Sequence, residues 1–310
     1  MRAIAIDDFG TAPALSDLPM PEPGPGEVLV RVHASSLNGF DLSVAAGWLK
    51  GMMEHRFPVV LGKDFAGTVE AVGAGVSRFA VGDRVFGVVM KPVLGDGAFG
   101  EFVTVPESFG ITHMPAELSF QTAGALGLAG VAALMAVDAV APAADETVLV
   151  SGATGGVGAF AVQLAAARGA QVIATAKPGD ESTFARQTGA AQTVDHSGDL
   201  AAAVRALHPN GVHAVIHLAG DGIQLSDLLV SGGRIASTLG LGPDQLGDRP
   251  VTGTSIWATP DAPRLDRLAA DVTAGQLQVP IRATYRLEDV PQAMADFRAG
   301  TLGKLVVTLD

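Results

Sequence analysis

A run of closely spaced glycines at residues 151–158 (SGATGGVG) carries the clearest chemical signal in the sequence. It follows the apolar segment Thr147–Val150 and precedes the alanine-rich stretch Ala159–Ala167, which predicts a turn between a buried strand and a helix. Glycines let the backbone approach a phosphate closely, and the amino end of a helix offers free N–H groups. The loop is therefore predicted to bind the pyrophosphate of a dinucleotide. Its spacing has one residue more than GxGxxG, so a purely structural strand–helix turn is the alternative.

The end of the next predicted strand bears on which dinucleotide binds. An NAD site normally has an Asp or Glu about 20 residues beyond the first glycine, where it binds the adenosine ribose. Here the strand ends ATAK, with Lys177 last, and no acid comes before Asp180. Lys177 is a candidate to pair with a 2′-phosphate, and Arg186 or His196 is a candidate to approach it from neighbouring elements. NADPH is therefore the predicted cofactor, and the alternative is that Lys177 is only a solvated residue.

Composition excludes several classes of protein. The 310 residues, 48% of them hydrophobic, are enough for two domains. The net charge of −12 argues against a nucleic-acid partner, and the absence of cysteine excludes disulfides and thiolate catalysis. The amino terminus, MRAIAIDDFG, is unlike a signal peptide, so a cytoplasmic location is predicted. The uncharged run Leu118–Val137 contains three glycines and is interpreted as two buried helical pieces rather than a membrane span.

Two patterns divide the chain. Short alternating segments at Val28–His33, Gly67–Val72 and Arg84–Val89 predict a mostly antiparallel β unit. From Thr147 onward, buried strands alternate with helices, which predicts an α/β fold with a doubly wound parallel sheet. The predicted strands are Thr147–Val150, Gln171–Thr175, Thr193–Val194, Ala214–Leu218 and Arg234–Thr238, with helices beginning near Gly156, Asp180, Ser197 and Ile223. Predicted helices at Ala262–Ala274 and Val290–Arg298 and a strand at Lys304–Leu309 follow.

Further motifs are spread over the chain. They include GKDFAGTVEAVG at Gly62–Gly73, VGDRV at Val81–Val85, VSGGRI at Val230–Ile235 and GKLVV at Gly303–Val307. With the glycine loop, they resemble the zinc-independent quinone oxidoreductase (ζ-crystallin-like) family of the medium-chain dehydrogenase/reductase superfamily. The resemblance implies a Rossmann NADP-binding domain over 118–257 and a GroES-like β-rich catalytic domain over 1–117, completed by 258–310. It also implies a homodimer.

The resemblance also bears on metal binding. The positions that match the catalytic zinc ligands of related alcohol dehydrogenases are Asn38 and Lys63. An amide is a poor zinc ligand, an ammonium repels the cation, and the four-cysteine structural zinc loop is absent. No metal is therefore predicted. Without a Lewis acid, acceptors already activated by conjugation remain feasible, because hydride delivery to them places charge on an oxygen that hydrogen bonds can hold.

Candidate catalytic and substrate-binding residues follow from the same resemblance. Asn38 is predicted to lie near the nicotinamide in a polar positioning role, or else only to form the turn before Gly39. Phe40 stands where some relatives have a tyrosine and cannot donate a proton, so Lys63 is a candidate donor, or else a salt-bridged lysine. Apolar side chains predicted to bind substrate, or else to pack ordinarily, are Phe40, Trp48, Met52, Met53 and Trp257. Predicted cofactor contacts are Val131, Thr154, Gly155, Gly156, Val157, Lys177, His196, Ala219, Leu239 and Gly240.

The sequence thus predicts an NADPH-dependent, zinc-independent reductase that transfers a hydride to a quinone or an α,β-unsaturated carbonyl. One alternative keeps the fold and changes the substrate: a trans-acting enoyl reductase of a biosynthetic, polyketide-type pathway. The other alternative is a non-catalytic NADPH-binding protein.

Overall fold

A computed structural model describes residues 1–309, and the chain forms two compact units. Unit 1 comprises Met1–Leu128, Thr259–Gly275 and Ile281–Asp310, and unit 2 comprises Ala129–Ala258 and Gln276–Pro280.

The regular elements are numbered in chain order. The strands are β1 (Arg2–Ile6), β2 (Ala14–Asp17), β3 (Glu27–Ser36), β4 (Glu54–His55), β5 (Val59–Val60), β6 (Asp64–Val72), β7 (Arg84–Val88), β8 (Val93–Leu94), β9 (Phe102–Pro106), β10 (Ile111–His113), β11 (Thr147–Ser151), β12 (Gln171–Thr175), β13 (Gln192–Val194), β14 (Val212–His217), β15 (Leu229–Ser237), β16 (Thr252–Ser255), β17 (Ile281–Arg286) and β18 (Lys304–Thr308). The α-helices are α1 (Gly39–Ala45), α2 (Phe120–Gly124), α3 (Gly127–Val140), α4 (Gly156–Ala167), α5 (Asp180–Gln187), α6 (Leu200–Leu207), α7 (Gly222–Ser226), α8 (Pro243–Leu246), α9 (Ala262–Thr273) and α10 (Val290–Ala299), and a 3-10 helix spans Leu287–Asp289.

Unit 1 is built on a seven-stranded sheet. Its order is β10-β7-β6-β3-β18-β17, with β9 also paired to β3, and all pairings except β17–β18 are antiparallel. Val28, Val30 and Val32 alternate along β3 and are fully buried in the core. Gly67 on β6 faces β3 so closely that a Cβ there would lie 2.0 Å from the Arg31 carbonyl oxygen. Only glycine therefore allows this strand pairing.

Unit 1 continues past the boundary expected after residue 117. Helix α2 packs against β3, β6 and β7, and a Cβ on Gly124 would lie 2.9 Å from the Ala34 carbonyl oxygen. The Leu128 N–H donates to Asp64 Oδ1 at 2.7 Å. These contacts place residues 118–128 with the β-rich unit. Together α2 and α3 account for the uncharged run, and within residues 1–309 no helix is long and apolar enough to cross a membrane.

Unit 2 is a doubly wound parallel sheet of order β13-β12-β11-β14-β15-β16. Helices α4 and α5 begin at the predicted residues, whereas α6 begins at Leu200 because Asp199 caps it by accepting the Ala202 N–H at 2.9 Å. Strand β16 has the sequence TGTS, which lacks the apolar pattern on which strand prediction depends. The strand order reverses between β11 and β14, and the carboxyl ends of these strands are where such sheets bind ligands.

Candidate active site

The glycine loop lies at the carboxyl end of β11 and opens α4. Gly152 has a φ of +67°, which disfavours a side chain there, and a Cβ on Gly158 would lie 2.2 Å from the Gly152 carbonyl oxygen, so position 158 has no room for one. The residue before α4, Gly155, has no side chain to cap the helix. The N–H groups of the first turn, which begins at Gly156 and Val157, therefore remain for a ligand. Together with the half-buried Thr154, this cradle fits a pyrophosphate.

Lys177 and His196, the two predicted phosphate-binding residues, both contact the carboxylate of Glu181 near the end of β12. The backbone N–H of the exposed Lys177 donates to Glu181 Oε2 at 2.9 Å, and His196 Nε2 lies 3.1 Å from the same oxygen. Partial burial opposes ionisation of Glu181, but the hydrogen bonds from Lys177 and His196 hold its pKa below its usual value. A negative charge therefore lies beside the two basic side chains. The sequence motifs do not identify Glu181, although an acid four residues after Lys177, in the first turn of a helix, is a visible signal.

The remaining predicted cofactor contacts lie around the same edge of unit 2, with one exception. Ala219 follows β14, and a Cβ on Gly152 would lie 3.1 Å from its methyl group, so it flanks the glycine loop. Leu239 and Gly240 follow β15 and are exposed. Val131, by contrast, is fully buried in α3.

Unit 1 contains a buried ionic cluster, formed by Asn38, Asp41, Lys63, Asp64 and Lys304. Asp64 Oδ2 accepts hydrogen bonds from Asn38 Nδ2 at 2.8 Å and from the Ser36 hydroxyl at 2.6 Å. Lys304 Nζ donates to Asn38 Oδ1 at 2.8 Å and lies 3.5 Å from Asp64 Oδ2. Since Asn38 Nδ2 also donates to the Ser36 carbonyl oxygen, both N–H bonds of the amide are used within the protein.

Burial shifts the pKa values of Asp41 and Lys63, the other two members of the cluster, toward neutral pH. Burial raises the pKa of Asp41 to about 7, although its carboxylate accepts N–H bonds from Asn38 at 2.8 Å and Gly62 at 3.2 Å. Burial lowers the pKa of Lys63 to about 8, against the attraction of Asp41 and Asp64. Both groups can therefore exchange protons near neutral pH.

The Lys63 ammonium differs from that of Lys304 in what it contacts. The Lys63 residue is 7% exposed, and its Nζ lies 5.2 Å from the centroid of the Phe40 ring. Among residues 1–309 no side chain or carbonyl accepts a hydrogen bond from it, whereas Lys304 Nζ donates to Asn38 and to the Leu37 carbonyl oxygen. Lys63 is thus the cation of the cluster with N–H bonds available to a ligand.

The predicted substrate-binding side chains fall into two groups. Phe40 and Met53 are half-buried and pack against the core of unit 1. Trp48 and Met52 are 74% and 68% exposed in the turns after α1, and Trp257, in unit 2, is 69% exposed. No group of three or more His, Cys, Asp or Glu side chains is arranged to hold a metal ion anywhere in residues 1–309.

Comparisons with known proteins cover the whole chain. Residues 24–116 match the alcohol dehydrogenase GroES-like domain, and residues 156–250 match the zinc-binding dehydrogenase family. Quinone oxidoreductases of Lama guanicoe and Sus scrofa are each 30% identical over 100% of this chain and 98% of their own. The structure of the quinone oxidoreductase from Coxiella burnetii covers 100% of this chain and 99% of its own at 30% identity, with a TM-score of 0.90. A mycobacterial protein complexed with NADPH covers 100% of both chains at 28% identity, with a TM-score of 0.87.

Proposed function

Because the chain belongs to the quinone oxidoreductase family of the medium-chain dehydrogenase/reductase superfamily, we propose that this oxidoreductase uses NADPH to reduce a quinone or an α,β-unsaturated carbonyl. The observation that carries the proposal is the glycine cradle between β11 and α4, in which a Cβ on Gly158 would strike the backbone at 2.2 Å. A nicotinamide cofactor is general to this family. The choice of NADPH, the hydride transfer and the acceptor are the proposed parts.

The choice of NADPH rests on Lys177 and His196. Both lie beside Glu181 at the end of β12, where the Lys177 ammonium suits a 2′-phosphate and the His196 ring can donate a hydrogen bond. The Glu181 carboxylate acts in the opposite sense, since it repels a phosphate. We propose that the Lys177 ammonium pairs with the 2′-phosphate while Glu181 stays bound to the Lys177 backbone and to His196.

In the proposed reaction the bound cofactor supplies a hydride to the conjugated acceptor. Negative charge then develops on the acceptor oxygen, and the Lys63 ammonium donates a hydrogen bond and finally a proton to that atom. This completes the hydroquinone from a quinone, whereas an enone gives an enol that tautomerises in water to the saturated carbonyl. With a pKa of about 8, Lys63 holds its proton at pH 7 and yet releases it more readily than an ordinary lysine does. Water returns the proton, and Asp41 and Asp64 favour the charged form of the side chain. Asn38 acts as a positioning residue that holds Asp64 and Lys304.

Turnover on a panel of acceptors tests the proposal. Purified protein is mixed with NADPH and a set of quinones and enones, and the loss of nicotinamide absorbance is followed. We expect oxidation of NADPH with quinones or simple enones. Turnover only of acyl thioesters carried on a protein would favour the trans-acting enoyl reductase, and tight NADPH binding with no turnover would favour the non-catalytic binder.

A further inference from the structure

Two side chains join the ends of neighbouring strands beneath the exposed edge of unit 2. His217 ends β14 and is 4% exposed, and Ser237 ends β15 and is fully buried. His217 Nδ1 lies 2.9 Å from Ser237 Oγ, and His217 Nε2 lies 3.1 Å from the Gly220 carbonyl oxygen. These two residues are called here the loop-anchoring pair.

The direction of each hydrogen bond follows from its partners. The Gly220 carbonyl oxygen can only accept, so His217 Nε2 carries the hydrogen. Ser237 Oγ accepts backbone N–H bonds from Leu239 at 3.0 Å and from Leu241 at 3.3 Å, which leaves its own hydrogen to donate to His217 Nδ1. A neutral imidazole with its proton on Nε2 therefore satisfies every bond of the pair.

The pair is one of several anchors for two loops. Ser151 Oγ also accepts the N–H groups of Leu218 and Ala219 at 3.0 and 3.4 Å, and Gln245 Nε2 donates to the Gly240 carbonyl oxygen at 3.1 Å. Gly220 and Gly240 have φ values of +83° and +82°, and a Cβ on either would meet nothing within 4 Å. Gly222 lies against the ring, and a Cβ there would come within 2.7 Å of Nδ1 and Cε1, so the imidazole itself is confined. The hydrogen bonds of the loop-anchoring pair thus add to those of Ser151 and Gln245 in fixing this backbone.

We propose that His217 is a positioning residue for the nicotinamide cofactor. Through Gly220 it fixes the loop that carries Ala219, and through Ser237 it fixes the loop that carries Leu239 and Gly240. Both loops lie at the carboxyl ends of parallel strands, beside the point where the strand order reverses. The inference rests on the cofactor-binding part of the proposed function. Pre-ordered loops bind a ligand more tightly, since less backbone freedom is lost on binding.

Two conservative variants separate the two bonds. In His217→Asn, the amide oxygen can replace Nδ1 as the acceptor for Ser237, but the donor to Gly220 is lost. In His217→Gln, the longer amide can keep the donor to Gly220, but the acceptor for Ser237 is lost. His217→Leu loses both bonds. The matched control is His213→Asn at the other end of β14, where His213 Nδ1 accepts the Thr147 N–H at 3.1 Å.

The dissociation constants of NADPH and NADH are measured by fluorescence titration, and kcat is measured at saturating cofactor. We expect each single-bond variant to raise both constants about fivefold and His217→Leu to raise them about 20-fold, with kcat nearly unchanged and the control like the wild type. His217→Gln and Ser237→Ala remove the same bond, so their double variant is expected to show less than the sum of the two effects.

Folded His217 variants with wild-type dissociation constants would overturn the positioning role while leaving the proposed function intact. Equal weakening in His213→Asn would also overturn it, because the effect would then reflect general destabilisation of β14. If the wild-type protein binds neither cofactor, the proposed function fails and this inference fails with it.

Discussion

The buried ionic cluster of unit 1 and the loop-anchoring pair of unit 2 both consist of buried polar groups, but the first is charged and the second is neutral. The cluster brings Asp41, Lys63, Asp64 and Lys304 out of water, and two of these groups titrate near neutral pH as a result. The loop-anchoring pair uses a neutral ring and a hydroxyl, so it bears no comparable desolvation penalty. Charged groups out of water suit proton transfer, whereas neutral hydrogen bonds suit the holding of backbone. Variants of the cluster should therefore change stability, turnover and pH dependence, and variants of the pair should change cofactor affinity.

The largest effect is expected from Asp64→Asn. The substitution removes the charge that accepts bonds from Ser36, Asn38 and the Leu128 N–H, and it leaves Lys304 without its anion. We expect the free energy of unfolding, measured with urea, to fall by about 3–5 kcal/mol. The matched control is Glu70→Gln. Glu70 lies on β6, as Asp64 does, and forms an exposed ion pair with Arg31 of β3, for which a loss below about 1 kcal/mol is expected. Equal losses in the two variants would remove the distinction.

Lys63→Met is expected to lower kcat at pH 7 by about 100-fold, as loss of a general acid does. The dissociation constant of NADPH should stay within a factor of two, because the side chain belongs to unit 1. In the wild type, kcat should fall as the pH rises through about 8, where Lys63 loses its proton, and the variant should lack this fall. Retention of kcat with an unchanged pH profile would exclude Lys63 as the proton donor.

Asp41→Asn is expected to change how stability depends on pH. Asp41 binds its proton more tightly in the folded chain, where its pKa is about 7, than in the unfolded chain, where it is near 3.8. Its contribution to stability is therefore present below about pH 4 and is lost as the pH rises to 7. Between pH 5 and 7 the wild type should lose up to about 1.4 kcal/mol per pH unit relative to the variant. Parallel urea-denaturation profiles would contradict the raised pKa.

Lys177→Ala is expected to weaken NADPH binding about tenfold and NADH binding by less than a factor of two, since only NADPH carries the 2′-phosphate. Glu181→Gln, four residues away, should act in the opposite sense by removing a repulsive charge. Titration of each variant with both cofactors measures the effect. Equal losses for the two cofactors in Lys177→Ala would refute the phosphate assignment.

The smallest effect is expected from metal removal. Because the Asn38 amide is a poor zinc ligand and the Lys63 ammonium repels the cation, we expect dialysis against a chelator to leave turnover unchanged and elemental analysis to find no stoichiometric zinc. Stoichiometric zinc together with lost activity after chelation would refute the predicted independence of metal.

The fold could be read from the sequence where the pattern is local. The glycine loop, the starts of α4 and α5 and the strands of the parallel sheet follow from apolar periods and turn residues. Strand β16 could not be read in this way, because TGTS has neither alternation nor bulk. Unit 1 extends to Leu128 because α2 packs against β3, and no local sequence pattern reveals this contact.

The contacts within the buried ionic cluster could not be predicted from the sequence. Asn38, Asp64 and Lys304 meet because β3 pairs with β6 and, along its other edge, with β18, where Val306 lies opposite Ser36. These pairings bring Asn38 and Lys304 together across 266 positions of sequence. The sequence identified Asn38 and Lys63 only as single positions within motifs. The loop-anchoring pair was not found for the same reason, since His217 and Ser237 end different strands that no motif connects.

Transfer of deuterium from the cofactor tests the central claim most directly. NADPH labelled with deuterium at either face of nicotinamide C4 is incubated with the protein and an enone, and the product is examined by mass spectrometry. The account predicts one carbon-bound deuterium in the product from one of the two labelled cofactors and none from the other, with the second new carbon-bound hydrogen taken from water. A reduced product that contains no cofactor deuterium from either label would contradict hydride transfer, and with it the proposed function.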